Sequence, residues 1–329
     1  MSEQASVGIR FHVAIRRSKL LRAGAALLVL VGWPLVIRGN YLVYIATLVC
    51  LYAIGAMSLH LILRMGQVSL GHAAFMGLGG YTSAVLVTAA DLPFVLGLFA
   101  GGAVAGMLAG LIGPILLRLK GVYFVLVTFT LGEIVRLVFV EWISVTGGSS
   151  GIYQIPAPAP LFLDLTAYYY LALAAAMLVG LFCNRLLSSD IGRAMQAMRE
   201  SESLAEANGI PILRIKVVMF VVAAVLVGFQ GSLEAHFIRY ISPLSYDFSE
   251  SLRFLVMNVI GGLNSLAGPI LGALFLVVLP EMLRGWVEIQ WVLYGIALIL
   301  IIRYVPGGLV DFAARILAFL MAPRQVGVS

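Results

Sequence analysis

The chain has 329 residues, of which 62% are hydrophobic and only 11% are charged. A soluble domain carries about 25% charged residues, so this composition excludes a soluble globular protein. The formal net charge of +6 comes from Arg and Lys near the ends of apolar segments, where basic residues act as topology signals. The charge therefore gives no support to nucleic-acid binding.

The apolar segments predict an all-α polytopic membrane protein, because about 20 apolar residues cross a bilayer core. We predict spans at 21–37, 41–63, 67–89, 94–117, 122–142, 168–187, 215–237, two short spans within 252–284 that are broken near Gly268 and Pro269, and a last one at 290–305. The count is about ten, or about eight if 67–89 and 252–284 are partly re-entrant. The predicted domains are an N-terminal segment at 1–20, a transmembrane domain at 21–305 and a C-terminal tail at 306–329.

Basic residues are unevenly distributed between the predicted loops. An even number of spans places both termini on the same side as the 188–214 loop, together with most of the Arg and Lys residues. The loops 89–93 and 143–167, on the opposite side, contain neither Lys nor Arg. The positive-inside rule then predicts that both termini and the 188–214 loop are cytoplasmic.

A polar stretch, DIGRAMQAMRESESLAEANGIP, occupies residues 190–211 between two apolar spans. Its helical spacing predicts an apolar stripe formed by Ile191, Met195, Met198 and Ala205. Ser201 or Ser203 is a candidate cap for a second helical turn, and Asn208, Gly209 and Pro211 predict its end. The packing of membrane helices does not require such a polar stretch, so we interpret it as a surface that another protein binds. The alternative is a solvated loop helix.

Two Gly-rich interruptions, at 66–72 and 261–269, occur at comparable places in the two halves of the chain. Such pairs indicate two pseudo-repeated halves whose broken helices line a substrate passage. The candidate passage residues are Gln67, Ser69, His72, Asn258 and Asn264. Small polar residues in spans also tie helices together, and that alternative stays open.

Glu133 and Arg136 are three residues apart within the predicted span 122–142, so their side chains can pair on one helix face. An unpaired charge in lipid is costly, which favours a mutually satisfied structural ion pair. A pair that gates the passage is the alternative.

Known enzyme motifs are missing from the sequence. No glycine is followed by lysine, so the chain contains no P-loop for ATP. It also contains no His-Glu-x-x-His, no Cys pair with metal spacing and no Gly-x-Ser-x-Gly. The sequence therefore predicts no catalytic residues, no metal site and no enzyme.

The segment Gly66–Phe75, GQVSLGHAAF, followed by GGYT at 79–82, resembles the signature of branched-chain amino-acid permeases of ABC importers, of the LivM type. Further similarities follow in order: GVYF at 121–124, EIVR at 133–136, IGGL at 260–263 and PGGL at 306–309. The ordered set extends over most of the predicted membrane domain.

The resemblance implies a permease subunit of an importer for branched-chain, aliphatic amino acids in a bacterial cytoplasmic (inner) membrane. It implies a homologous LivH-type permease partner, two cytoplasmic ATPases of the LivG/LivF type and a periplasmic or lipid-anchored binding protein. ATP and Mg²⁺ would be used by the ATPases, and this chain would bind no cofactor. The 188–214 loop is similar to the ATPase-coupling loop, with Gly192, Arg193, Ala197, Arg199, Glu200, Glu202, Ala205 and Gly209 as its candidate residues.

Several positions depart from the family pattern, among them Ser150, Ser201, Asn258 and Asn264. A permease for urea, a short amide or a polar amino acid therefore stays open. The urea-type pattern usually carries Arg after the double glycine, whereas this chain has Leu263, which favours amino acids. The rivals from another class are a secondary transporter driven by an ion gradient and a membrane enzyme.

Overall fold

The computed structural model describes residues 30–32, 34, 39–283, 292–293, 295–296, 299–300, 303 and 308–312. The predicted first and tenth spans and both terminal segments lie wholly or largely outside these residues. Contacts divide the chain into two compact units, residues 1–44 and residues 45–329. The described residues of the first unit are helical except residue 39.

The described residues are mainly helical. In chain order the helices are α1 (Asn40–Leu63), α2 (His72–Thr88), α3 (Phe94–Leu116), α4 (Val122–Glu141), α5 (Ile143–Thr146), α6 (Leu165–Leu187), α7 (Asp190–Glu200), α8 (Glu202–Ala207), α9 (Ile212–Ile238), α10 (Phe248–Gly261) and α11 (Ala267–Met282). Short 3₁₀ turns occur at Gly148–Ser150, Pro160–Leu163 and Pro243–Tyr246. Two short strands, β1 (Ile152–Tyr153) and β2 (Tyr240–Ile241), pair antiparallel, with Ile152 opposite Ile241.

Within the described residues, five helices are long and apolar enough to cross a membrane, namely α1, α3, α4, α6 and α9. Helix α2 has 17 residues, α10 has 14 and α11 has 16, so each is shorter than a full span of about 20 residues. The prediction of a helical, multi-pass membrane protein is confirmed.

The predicted span 67–89 needs a correction at its start. Residues 67–71 are not helical, and α2 begins only at His72. Gly66, with φ of 78°, turns the chain out of α1, a conformation that glycine adopts without steric cost. The predicted start of span six is also corrected, from 168 to Leu165, because the Asp164 side chain accepts a hydrogen bond from the Ala167 amide and caps α6.

The break within 252–284 lies earlier than predicted. The chain leaves α10 at Gly262, whose φ is 112°, and α11 begins at Ala267. Gly268 and Pro269, where the break was predicted, lie in the first turn of α11. Proline is tolerated there because the first amides of a helix have no intrahelical partner.

The part of α1 from residue 50 to residue 63 is enclosed by the rest of the second unit. Every residue from 50 to 63 is buried, including Ser58 and His60. A helix that is apolar on all faces is suited to this position, since no face of it needs water. The other helices therefore pack around α1, and polar groups that point towards it are shielded from solvent.

Helices α2, α3 and α9 cross at glycines. A Cβ added to Gly79 would lie 2.5 Å from the carbonyl carbon of Gly228, and one added to Gly101 would lie 2.5 Å from the carbonyl oxygen of Gly79. Two further glycines of α3 also pack within the chain, Gly102 against Phe229 and Gly106 against Val225. Small residues allow such close approach between membrane helices.

Helix α9 connects two different structural features. Its first residue, Ile212, follows α8 after a short turn, and its last residue, Ile238, leads into β2. With 27 residues it is about 40 Å long. The polar 188–214 loop and the β1–β2 pair therefore lie at opposite ends of a helix that is long enough to cross a membrane.

Candidate functional site

The polar 188–214 loop folds as two short helices, α7 and α8. Gly192, Met195 and Met198 form the buried face of α7, and Ala205 is the buried residue of α8. Ser201 caps α8, its hydroxyl accepting a hydrogen bond from the Leu204 amide at 3.4 Å. The predicted stop is confirmed, since α8 ends at Ala207.

The predicted apolar stripe of α7 was wrong at one position. Ile191 is 39% exposed, whereas Met195 and Met198 are almost fully buried. The reason is the position of Gly192, which lies against the end of α6. A Cβ on Gly192 would overlap the backbone of Leu187, with its Cα at 2.7 Å, so the glycine itself forms the contact. Ile191 is thereby turned outward.

Glu202 joins the loop to two other segments. Its carboxylate pairs with the ammonium of Lys120, between α3 and α4, at 2.9 Å, and with the ammonium of Lys216 in α9. Lys216 is only 2% exposed, so Glu202 neutralises a buried charge. Burial raises the pKa of Glu202, but hydrogen bonds and charge attraction from the two lysines lower it below its ordinary value.

The remaining candidate coupling residues lie on the outer face of the loop. Arg193, Arg199, Glu200 and Gly209 are exposed, and Ala197 is half-buried. The ion pair between Arg193 and Asp190 is also exposed and contributes little to stability. The loop therefore has a buried face that contacts the helices and a charged face that is free within the described part of the chain.

The end of α7 lies against the end of α1. The Cα of Arg199 is 3.6 Å from the position that a Cβ on Gly66 would take. Partial burial and the positive charge of Arg199 lower the pKa of the Arg64 guanidinium. The Gly-rich interruption at 66–72 and the polar loop, which are far apart in sequence, are thus neighbours.

We expect Glu202→Gln to destabilise the fold, because it leaves the buried ammonium of Lys216 without its ionic partner. A buried donor left unsatisfied costs about 1–3 kcal/mol. The lowered pKa means that the contribution of Glu202 is complete above its unfolded pKa of about 4.3 and is lost as the pH falls through the folded value. Thermal unfolding of the purified subunit measures the effect.

The matched control is Glu206→Gln, which removes an exposed carboxylate from the same helix. A second variant, Glu202→Gln with Lys216→Met, removes both charges and should recover most of the lost stability. Equal melting temperatures for Glu202→Gln and Glu206→Gln would contradict the role assigned to this ion pair.

Three predicted passage residues lie in or next to the 66–72 interruption. Gln67 is 3% exposed, and Ser69 and His72 are fully buried. His72 Nε2 lies 2.7 Å from Ser58 Oγ in α1, and its ring meets that of Phe254 edge-on at 6.1 Å. His72 Nδ1 is buried and has no hydrogen-bond partner among the described residues. The histidine is thus packed between α1 and α10.

Asn258 and Asn264 occupy different surroundings. Asn258 is fully buried, and its amide nitrogen donates to the carbonyl oxygens of Ala56 and Phe254, both at 2.9 Å. Its Oδ1 lies 3.1 Å from His60 Nδ1. Asn264 is exposed in the turn between α10 and α11. Asn258 therefore ties α10 to α1, while Asn264 is accessible.

The predicted pair of Glu133 and Arg136 is present on α4. Arg136 Nε donates to Glu133 Oε2 at 2.8 Å, and both side chains are partly exposed. We expect Glu133→Gln to lower the amount of folded protein in the membrane, because an unpaired arginine costs about 2.5–3.5 kcal/mol at the centre of a membrane helix. The double variant Glu133→Gln with Arg136→Gln should restore it. Size-exclusion profiles of solubilised membranes measure the effect.

If the pair is structural, transport per folded molecule is unchanged in the double variant. A double variant that assembles normally but transports at a clearly different rate would contradict the structural role and favour a gate.

A polar cluster that no sequence pattern predicted joins α1, α9 and α10, and all of its residues except Arg253 are buried. It consists of Tyr52, Gln230, Glu234, Glu250 and Arg253, which we call the α1–α9–α10 cluster. Arg253 Nη1 donates to Tyr52 Oη at 2.9 Å and pairs with Glu250 Oε2 at 3.1 Å. Gln230 Nε2 donates to Glu234 Oε2 at 2.9 Å. The sequence signal was present, since these charges stand directly beside the apolar runs 217–233 and 254–280.

Comparisons with known proteins identify the family of this chain. Residues 41–303 match the family described as "Branched-chain amino acid transport system / permease component". The high-affinity branched-chain amino acid transport system permease protein LivM of Salmonella typhimurium is 33% identical over 313 residues, covering 87% of this chain and 73% of the relative. The Escherichia coli protein of the same name is 34% identical over 313 residues, covering 86% and 73%.

A more distant relative is the L-arabinose ABC transporter permease protein AraH of Azospirillum brasilense, which is 25% identical over 231 residues, covering 67% of this chain and 66% of the relative. No solved structure matches the chain. The family match covers most of the chain, and two relatives exceed 30% identity over nearly all of it. The chain belongs to the family of permease components of branched-chain amino acid transport systems.

Proposed function

We propose that this chain is the LivM-like permease subunit of an ABC importer for branched-chain, aliphatic amino acids. The observation that carries the proposal is the similarity to two LivM proteins over nearly the whole chain. It is supported by a charged helical loop that is anchored to several membrane-crossing helices but leaves its outer face free. Such a surface suits a partner that delivers the energy of ATP.

The mechanism that we propose transmits a push on α7 and α8 to the membrane helices. The close contact of Gly192 with Leu187 makes the junction of α6 and α7 tight. Glu202 connects the loop to α9 and to the segment between α3 and α4. Closure of two LivG/LivF-type ATPases against the exposed face, including Arg193, Arg199 and Glu200, would therefore move α6 and α9 together.

The proposed topology has about ten spans in two pseudo-repeated halves. The protein would lie in a bacterial inner membrane with both termini cytoplasmic, as the positive-inside rule favours. A homologous LivH-type permease would complete the passage, and a binding protein would deliver the substrate from outside. ATP and Mg²⁺ would be used by the ATPases and not by this chain.

Half of the passage would be lined by this chain. Gln67, Ser69, His72, Asn258 and Asn264 are the proposed passage residues from the sequence. His72 supports the proposal best, since its buried Nδ1 has no partner within the described residues. Movement of α10 relative to α1 would open the space between them.

The test is ATP hydrolysis by the reconstituted complex of this chain, its partner permease, both ATPases and the binding protein. The binding protein is loaded in turn with leucine, isoleucine, valine, urea and a polar amino acid. We expect stimulation by at least one aliphatic amino acid. Stimulation by urea or the polar amino acid alone would keep the architecture and replace the substrate. No ligand-dependent stimulation of a well-folded complex would contradict the proposed function.

A further inference from the structure

Arg253 of the α1–α9–α10 cluster lies beside the middle of α1, one of the membrane-crossing helices. Tyr52 is at the midpoint of α1, a 24-residue helix about 36 Å long. Arg253 contacts Tyr52 both through the hydrogen bond to its hydroxyl and through its ring, with the guanidinium carbon 5.5 Å from the ring centroid. The guanidinium is therefore far from either end of α1, and so from either membrane surface.

One member of the cluster is accessible. The side chain of Arg253 is 46% exposed, whereas that of its partner Glu250 is only 9% exposed. An exposed guanidinium at the centre of a bilayer cannot face lipid without a large cost, and intramembrane arginines face water-filled cavities or protein. The exposed side of Arg253 therefore faces a water-filled space or another protein chain, and not lipid.

The contacts of Arg253 leave one edge of its guanidinium unoccupied. Its contacts with Tyr52 and Glu250 both use Nη1. Nε and Nη2, which form a single edge of the planar group, have no hydrogen-bond partner in the part of the chain that the structure describes. Two parallel N–H groups on one edge match the two oxygens of a carboxylate. Tyr52 and Glu250 hold the group in place for such a ligand.

We propose that Arg253 binds the carboxylate of an amino acid as it crosses the membrane, an inference that rests on the proposed function. Every α-amino acid carries this group, whereas urea does not. The membrane step would then select for a carboxylate and not for a particular side chain. Side-chain selection would be left to the binding protein, and Arg253 would be a substrate-binding residue of the passage.

The test is leucine uptake into proteoliposomes that contain the full complex and the leucine-loaded binding protein. We expect Arg253→Gln to lower uptake about tenfold or more, the value of one lost charge-assisted hydrogen-bonded contact. Arg253→Lys should recover part of the loss, since it keeps the charge but not the planar edge. The double variant Glu133→Gln with Arg136→Gln, which neutralises an ion pair on α4, serves as the control and should keep uptake.

A second variant separates substrate binding from charge neutralisation. In Glu250→Gln with Arg253→Gln both members of the pair are neutral, so no unpaired charge remains between them. If Arg253 binds substrate, this double variant stays defective. Recovery of uptake would overturn the proposal, because Arg253 would then serve only to neutralise Glu250. Loss of the partner permease on co-purification would also overturn it, because Arg253 would then contact the partner chain.

Direct binding gives an independent readout. Saturation-transfer NMR of the solubilised complex, without binding protein, should detect leucine with the wild type but not with Arg253→Gln, and should not detect leucinol, which lacks the carboxylate. An equal signal from leucinol would contradict the proposal. Leucine uptake by the complex that contains the wild-type chain tests the proposed function itself. Leucine uptake that is insensitive to Arg253→Gln would reject the binding site alone, whereas absence of uptake by the wild type would reject both.

Discussion

Gly192→Ala is expected to lower leucine uptake about ten- to hundredfold while the subunit stays in the membrane. Alanine is the best helix former, so the substitution does not weaken α7 itself. The added methyl group instead meets the backbone of Leu187 at the end of α6. Overpacking of this kind costs about 1–3 kcal/mol, and about 1.4 kcal/mol corresponds to a tenfold change. The two helices must then separate, and the push from the ATPases is no longer transmitted.

The measurement is leucine uptake together with ATP hydrolysis by the reconstituted complex. An uncoupled variant hydrolyses more ATP for each leucine that is transported. Gly180→Ala is the matched control, because it adds the same methyl group to α6 where the nearest atom is the flexible Met57 side chain at 3.6 Å. Equal uptake by the two variants would show that the junction of α6 and α7 does not carry the force.

Gly79→Ala is expected to prevent correct packing of the membrane domain. The new Cβ would lie 2.5 Å from the carbonyl carbon of Gly228, and backbone cannot move aside as a side chain can. Gly228 is itself held from the other side, since its own Cβ position is 3.0 Å from the Cβ of Ala105. Overpacking usually lowers the free energy of unfolding by about 1–3 kcal/mol, and we expect Gly79→Ala to reach or exceed the upper end of this range.

The measurement is the fraction of protein that remains monodisperse in size-exclusion chromatography after heating. Gly110→Ala, in α3, is the matched control, because the nearest atom to its Cβ is a Val221 methyl carbon at 3.6 Å, an ordinary van der Waals distance. If Gly79→Ala kept as large a monodisperse fraction after heating as Gly110→Ala, this result would contradict the packing described for α2 and α9.

The positions of the helices were largely predictable from the sequence. Hydropathy depends on local composition, and the predicted spans at 41–63, 94–117 and 122–142 differ from α1, α3 and α4 by only one residue at an end. The two helices of the polar loop and the cap at Ser201 also follow from local signals. The breaks were harder to predict. Gly262, not Gly268, has the positive φ. The sequence alone does not show which of several neighbouring glycines adopts that conformation.

Contacts between distant segments were not predictable. Glu250 and Arg253 border an apolar run, so hydropathy assigns them to the end of a span, whereas the fold brings Arg253 to the midpoint of α1. Glu202 and Lys216 are 14 residues apart, and nothing local pairs them. The ion pair on α4 was predictable because its partners are neighbours on one helix. The side-chain partners of the polar loop depend on how α9 packs, and local sequence patterns do not predict that packing.

We expect this chain to move its substrate with energy from separate ATPases. The most direct measurement compares leucine uptake into proteoliposomes with the ATPases and enclosed ATP, and uptake into proteoliposomes without them but with an imposed ion gradient. We predict that uptake requires the ATPases, ATP and the binding protein, and that it is insensitive to the gradient. Uptake that persists without the ATPases and follows the ion gradient would contradict the claim and identify a secondary transporter.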